Sequence, residues 1–492
     1  MHDRAKTGIS GLDEVLNGGF TRGNIFLVEG EPGSGKTTVS LQFLLAGAAL
    51  GEKGLHITLS ETESELRASA ASHGWTLGEN IKIFELLPPE SLLDKDQQQS
   101  LLYSSDLELG ETTKQIFEAF HEHQPQRVVL DSLSEIGLLA QGSLRYRRQV
   151  LAIKHFFAKH KATVLMLDDL TSDTNDRTVH SIAHGVVQLE QRAPAYGAER
   201  RRMRVLKYRG SRFRGGYHDM TIKTGGLDVF PRLVAAEHDT DFKKTTIATR
   251  IPQFDSLLGG GIDSGSSTLI IGPAGAGKSV FAANFVIDAI SRGEKAAYFM
   301  FDEELNLFRS RLKALGLDVG AEEDRGNLIL SHVDAAELSP GEFAHGVREL
   351  INRLGIKTVV IDSLNGYQAA MPEENSLILH MHELLQYLNR QGVATFLTVA
   401  QHGLVGDMKA PLDLTYLADN VILLRFFEAT GEVRRAIAVT KKRGGFHELT
   451  IREFQIGGEG VTIGSPLREF YGVLTGIPQY QGKSGDLMFN SP

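Results

Sequence analysis

The sequence predicts two tandem copies of one α/β domain, each with a mainly parallel sheet flanked by helices. Three observations predict it. A glycine-rich phosphate-binding segment occurs twice, further segments recur in the same order at nearly constant offset, and short β-branched runs alternate with helical patterns in each copy. Gly30-Glu-Pro-Gly33-Ser34-Gly35-Lys36-Thr37 returns 242 positions later as Gly272-Pro-Ala-Gly275-Ala276-Gly277-Lys278-Ser279. Thr58-Leu-Ser-Glu61 pairs with Met300-Phe-Asp302-Glu303 at the same offset, and Val128-Val-Leu-Asp131 with Val359-Val-Ile-Asp362 at 231. Leu206-Lys207-Tyr-Arg209-Gly210 matches Thr440-Lys441-Lys-Arg443-Gly444 at 234. The copies also open alike, Gly11-Leu-Asp13 beside Gln253-Phe-Asp255, each leading to a Gly-Gly pair. These matches place a first domain over 1–235 and a second over 236–492, the latter ending in a short polar tail.

In the first copy Ile25–Val28, Leu55–Leu59, Arg127–Leu130 and Thr163–Leu167 read as buried strands. Thr268–Ile271, Ala296–Met300, Lys357–Ile361 and Ala394–Val399 repeat the series. Such apolar runs are too short for helices and suit strands covered on both faces. Lys36–Leu50 and Ser376–Gln391 have helical spacing, and strand–helix alternation implies parallel pairing. Each copy then closes in hairpin-like strands, Arg204–Tyr208 with His218–Ile222 and Arg434–Val439 with His447–Ile451. The offset shrinks between the second and third matches, so the first copy carries extra residues. Pro88 to Thr113, with Gln97-Gln-Gln-Ser100 and several acids, is expected to be that insertion and a surface loop. The copies meet in the polar run Ala235 to Thr249, which does not read as a long flexible linker, so close stacking is expected.

The chain has 492 residues, 41% hydrophobic and 23% charged, enough apolar side chain for more than one core. Lys and Arg number 52 against 61 Asp and Glu, a net charge of −9 that argues against a general electrostatic hold on DNA or anionic lipid. Absence of cysteine excludes disulfides, thiolate zinc sites and a cysteine nucleophile. The N-terminal stretch lacks the apolar core of a signal peptide, and no segment reaches the roughly 18 apolar residues of a membrane span. A cytoplasmic protein with no membrane partner is expected.

A Gly-x-x-x-x-Gly-Lys-Ser/Thr segment binds polyphosphate for a geometric reason. Glycines let the chain wrap the phosphates with backbone N–H groups pointing inward, and the helix beginning at the lysine adds the positive end of its dipole. Gly30, Gly33, Ser34, Gly35, Lys36, Thr37 and Thr38 are the expected nucleotide-binding residues of the first copy. Gly272, Gly275, Ala276, Gly277, Lys278, Ser279 and Val280 are those of the second. Lys36 and Lys278 would reach the β- and γ-phosphates, and Thr37 and Ser279 would offer a hydroxyl to Mg²⁺. Asp131 and Asp362 each close an apolar strand, the expected place for a carboxylate that holds magnesium through water. An acid at a strand end is common; the upstream phosphate loop is what gives these two meaning.

Hydrolysis needs a group to orient or deprotonate the attacking water. Glu61 in the first copy, and Asp302 and Glu303 in the second, end the strand after the phosphate-loop helix and suit that role; an acidic helix cap is the alternative. Ser60 stands where the second copy has Asp302, so unequal catalytic behaviour of the halves is expected. Lys207 with Arg209, and Lys441 with Arg443, lie on late hairpin strands far from their own phosphate loops. They suit fingers that enter a neighbouring subunit's site and stabilise charge on the transferring phosphoryl group. Ordinary solvated hairpin charge is the alternative.

Together these residues resemble the RecA-like superfamily and, within it, the KaiC family of double-domain ATPases. The similarity runs from about Lys6 to Pro478 and rests on the doubled openings, the phosphate loops, the carboxylate positions and the Lys-x-Arg-Gly strands. The resemblance implies ATP and Mg²⁺ as cofactors and a homohexamer of two stacked rings with nucleotide between subunits. It also implies slow ATP hydrolysis, autophosphorylation of hydroxyls across the interface in the second domain, and a small KaiB-like partner. The family's paired phosphoacceptors precede an Asp and a hydrophobic strand; the matching stretch here is Asp413-Leu-Thr415-Tyr416-Leu-Ala-Asp419. Thr415 keeps an aliphatic hydroxyl, whereas the Tyr416 phenol is longer and places its oxygen elsewhere; interface packing is the alternative for both. The first-copy stretch Val179-His180-Ser181-Ile-Ala-His184 lacks the Asp and is not expected to be phosphorylated.

Clock-type members carry a longer charged tail that receives a KaiA-like activator. The short run from Val473 through Pro478 to Pro492 points instead to a stress-response or signalling role. Two rival readings have different requirements. A DNA recombination or helicase-type ATPase would use the basic run Glu199-Arg-Arg-Arg202-Met-Arg204, but Asp168 through Asp176 is acidic and Gly403 to Asp419 roughly charge-balanced, so nucleic acid is not the expected partner. A non-catalytic platform would use nucleotide only to hold a ring together.

Overall fold

The computed structural model describes residues 3–86, 101–140, 142–169, 178–194, 197–238, 240–370, 374–401, 415–429, 431–458, 460–474 and 479–480. It divides into two compact units, Met1–Arg232 and Leu233–Pro492. Each is built on a nine-stranded sheet. In the first unit the strands are β1 (Ile25–Gly30), β2 (Gly54–Thr58), β3 (Ile81–Glu85), β4 (Arg127–Asp131), β5 (Thr163–Asp169), β6 (Gly185–Arg192), β7 (Arg200–Tyr208), β8 (His218–Lys223) and β9 (Gly226–Phe230). In the second they are β10 (Ser267–Gly272), β11 (Lys295–Met300), β12 (Leu328–His332), β13 (Ile356–Asp362), β14 (Ala394–Ala400), β15 (Asn420–Ala429), β16 (Glu432–Lys442), β17 (Arg452–Gly457) and β18 (Gly460–Pro466).

The first sheet runs β3-β2-β4-β5-β1-β6-β7-β8-β9 and the second β12-β11-β13-β14-β10-β15-β16-β17-β18, the same path twice. Neighbours from β3 to β6 pair in parallel, and the rest of the sheet is antiparallel. Parallel strands need helical crossovers, which cover both faces and bury every residue of β1 and β10. This burial is why those strands read as unbroken apolar runs. Helix α1 (Lys36–Ala48) packs its Phe43 with Phe20 and Phe26 on one face of the first sheet. Ile116, Ile153 and Phe157 cover the other face. In the second unit α2 (Lys278–Ser291) takes the place of α1, with Phe281 and Phe285 in the core. The loop between β1 and α1, and that between β10 and α2, therefore sits at the carboxyl ends of central parallel strands, where open α/β sheets bind ligands.

Two expectations are corrected. Residues 87–100, including Gln97–Ser100, lie outside the described residues, but the rest of the expected insertion loop is helical. Leu101–His123 forms one 23-residue helix. Leu109, Ile116, Ala119 and Phe120 recur at helical spacing and are buried, and Phe117 stacks on Phe156 at 3.8 Å between ring centroids. The acids on its outer side obscure that period. The second hairpin strand does not span His447–Ile451; β17 begins at Arg452 and pairs Phe454 with Arg435 of β16. Leu449 is 84% exposed, whereas Phe454 is buried against Phe281, so the core selects the later register. Strands β3, β6, β9, β12 and β18 were not anticipated at all. Among the described residues no helix is long and apolar enough to cross a membrane.

Candidate functional site

The two phosphate loops share one backbone conformation. Gly33 and Gly35 have φ of 81° and 103°, Gly275 and Gly277 76° and 105°. A Cβ on Gly35 would come within 2.7 Å of Ile222 Cδ1, and one on Gly277 within 2.4 Å of Ile456 Cδ1. Glycine is required there both by the left-handed backbone and by the β8 or β17 side chain packed over the loop. The lysines take one pose. Lys36 Nζ donates to the carbonyls of Gly30 (2.9 Å) and Glu31 (3.0 Å), and Lys278 Nζ to those of Gly272 (3.1 Å) and Pro273 (2.9 Å). Burial lowers the Lys278 pKa, with Asp362 and Asp302 opposing that shift. Lys36 differs in also pairing with Asp169 at 2.7 Å, where the second copy has Ala400. Ser34, Thr38, Ala276 and Val280 are buried beneath the loops, and Thr37 and Ser279 stand half-buried on the first turns.

Asp131 and Asp362 end β4 and β13, and each is followed by a cis peptide to Ser132 or Ser363. Their surroundings differ. Asp362 accepts hydrogen bonds from the Tyr298 hydroxyl (2.6 Å) and from Thr398 Oγ1. His56 and Leu167 occupy those two places in the first copy. There, burial and the neighbouring Glu61 and Asp169 carboxylates push the Asp131 carboxyl up to about 7, with Lys36 partly opposing them. Protonation therefore favours the folded, nucleotide-free first unit. That contribution is complete below the ordinary value of 3.8 and is lost as pH rises through about 7. The urea midpoint of the nucleotide-free protein should fall from pH 5 to pH 8, and Asp131→Asn should flatten that slope.

The three candidate bases are placed differently. Glu61 is half-buried, and one of its carboxylate oxygens is buried with no hydrogen-bond partner among the described residues. Burial, then Glu65, raises its pKa. Asp302 accepts from the Ser363 hydroxyl next to Asp362. Glu303 turns to Arg311, which donates to both its oxygens. Asp302 thus stands with Asp362 and Lys278, and Glu303 is held at their margin.

The hairpin cations also match between copies. Lys207 Nζ donates to the His180 and Ala183 carbonyls and Arg209 to that of Ser181. Lys441 Nζ donates to the Thr415 and Ala418 carbonyls, and Arg443 to that of Tyr416 while lying 3.5 Å from Asp419. Within one chain these cations grip the backbone entering β6 and β15, and in the second copy that backbone is the candidate phosphoacceptor pair. Thr415 is half-buried and Tyr416 half-exposed. Asp413 and the loop residues 170–177 and 402–414 lie outside the described residues. In the basic run, Arg202 and Arg204 flank the Tyr217 ring and bond Glu190 and Gln188, and Arg201 pairs with Glu199. Sequence reasoning missed Asp169, Tyr298, Thr398 and Arg311. Tyr298 and Thr398 carried a faint signal as polar residues inside apolar strands, whereas Asp169 falls within an acidic run.

A family model described as the KaiC ATPase matches residues 5–234 and again 247–468. The chain belongs to the KaiC ATPase family. Among its curated relatives, the circadian clock protein KaiC3 of Synechocystis sp. is 26% identical over 98% of this chain and 96% of its own length. The circadian clock oscillator protein KaiC of Parasynechococcus marenigrum is 26% identical over 96% and 92%, and that of Synechococcus elongatus matches to the same extent. With the strand order above, this KaiC-family chain comprises two tandem RecA-like domains, and it is a nucleotide-binding ATPase.

Proposed function

We propose that both units of this KaiC-family chain bind Mg·ATP, that the first mainly hydrolyses it, and that the second transfers its γ-phosphoryl group to protein. The observation carrying the reading is the duplicated cradle: the same left-handed glycines, buried lysine and strand-end aspartate occur twice around unequal carboxylates. Thr37 with Asp131, and Ser279 with Asp362, offer hydroxyl and carboxylate oxygens, the donor chemistry Mg²⁺ prefers. The bound ion would neutralise phosphate charge there. Lys36 and Lys278 hold the β- and γ-phosphates, and Glu61 accepts a proton from the attacking water in the first unit.

In the second unit the acceptor is Thr415 of a neighbouring subunit in a homohexamer, with Tyr416 as the less favourable neighbour. Its hydroxyl oxygen forms the new bond to phosphorus, its proton passes to Asp302, and the β–γ bridging bond breaks with its electron pair leaving on ADP. Lys441 and Arg443 fix the Thr415–Tyr416 backbone, and Lys207 and Arg209 fix its counterpart in the first unit. The regulator would act in the cytoplasm, in a clock-related or stress response, through a small KaiB-like partner. Two of the patch arginines, Arg201 and Arg202, pair with Glu199 and Glu190, which weighs against a DNA motor. Mass spectrometry after incubation with ATP should find phosphate on Thr415, and native mass spectrometry should find six chains. A peptide map free of phosphate would remove the transferase half of this reading.

A further inference from the structure

Helix α3 (Glu63–Ser72) of the first unit and helix α4 (Leu305–Ala314) of the second begin two positions after Glu61 and Glu303 and have equal length. Their seventh residues are Ser69 and Arg311. Arg311 Nε donates to Glu303 Oε1 at 3.1 Å and Nη2 to Oε2 at 2.6 Å, the paired geometry in which a guanidinium is most directional. The contact belongs to the phosphate end of the site. The Arg311 guanidinium lies 5.5 Å from the Phe308 ring centroid, Phe308 packs on Tyr298 at 4.8 Å, and the Tyr298 hydroxyl donates to Asp362. The short Ser69 side chain has no cation to offer, and Glu61 keeps one buried oxygen without a partner among the described residues.

We propose that Arg311 is a positioning residue that withholds Glu303 from water at the second site, so that the γ-phosphoryl group goes to a protein hydroxyl in preference to hydrolysis. The proposal rests on the second unit turning over ATP as described above. With Arg311 removed, Glu303 accepts a proton from water while the water oxygen bonds to the γ-phosphorus. The β–γ bridging bond breaks, and ADP leaves with its electron pair. The contrast between the copies then has a local cause. Among the described residues the first unit has a base and no clamp, and the second has the equivalent base under a clamp, with Asp302 bonded to the serine that follows Asp362.

The test uses the full chain with the first site silenced by Lys36→Ala, and reads ADP released against phosphate retained on protein. Arg311→Ser, the residue of the first copy, should raise that ratio about tenfold. Arg311→Lys, which keeps the charge without the fork, should give an intermediate value and serves as the informative variant where the serine form folds poorly. Adding Glu303→Gln to Arg311→Ser should cancel the increment, which loss of packing alone would not do. An unchanged ratio in both Arg311 variants, or an increment that survives Glu303→Gln, overturns the proposal. Lys278→Ala in the same background sets the zero. If no ADP release depends on Lys278, the reading of the second site fails and takes this inference with it; if such release exists and its partition ignores Arg311, the inference alone fails.

Discussion

Lys278→Ala should empty the second site and leave no phosphate on the protein, while the first site still takes up ATP. The lysine is 9% exposed, and its ammonium is held by the Gly272 and Pro273 carbonyls at the mouth of the loop. It stands with Asp362 and Asp302, and its ammonium is the positive charge that this cluster offers a triphosphate. Removing a buried, hydrogen-bonded charge that faces a phosphate costs about 2–5 kcal/mol of binding. Calorimetric stoichiometry for ATP should therefore halve. The reciprocal Lys36→Ala should also halve it, yet leave phosphate on Thr415, because transfer is assigned to the second unit. Phosphate persisting in Lys278→Ala would break that assignment.

Glu61→Gln should lower first-site hydrolysis by about 10²–10⁴-fold with ATP still bound, the range typical of losing a positioned base. The side chain starts from a fixed backbone: Thr58 Oγ1 donates to the Glu61 carbonyl at 2.7 Å and accepts from its N–H at 2.9 Å. Glutamine keeps that shape and cannot take a proton. Because burial and Glu65 raise the Glu61 pKa, the wild-type rate should climb with pH along an acidic limb that is displaced upward and that Glu61→Gln removes. Measuring ADP release in the Lys278→Ala background isolates this site. A Glu61→Gln rate within a few-fold of the parent would leave the first unit without its base.

Such asymmetry is what duplication permits. Once one nucleotide site supplies a function, the other is released to change its carboxylates and their partners. Asp169 beside Lys36, Tyr298 and Thr398 on Asp362, and Arg311 on Glu303 are three such divergences around one common cradle.

The doubled domain, the central strands and the two phosphate loops were legible in the amino-acid order because each is a local property. A buried parallel strand must be apolar throughout, and a loop that turns through φ near +100° under a packed isoleucine admits only glycine, so eight consecutive residues announce a cradle. The helix over Leu101–His123 was hidden by acids on its solvent side, and the β17 register by an exposed Leu449 that mimics a strand residue. Side-chain partnerships were beyond the sequence's reach. Strands adjacent in a parallel sheet are separated in the chain by a whole crossover, so Tyr298 meets Asp362 and Lys36 meets Asp169 only after the sheet has assembled. Arg311 reaches Glu303 only because a turn of chain folds α4 back over the end of β11. Spacing alone marked two phosphate loops with a carboxylate beside each; the assembly of the strands, and the turn into α4, decided which side chain each carboxylate meets.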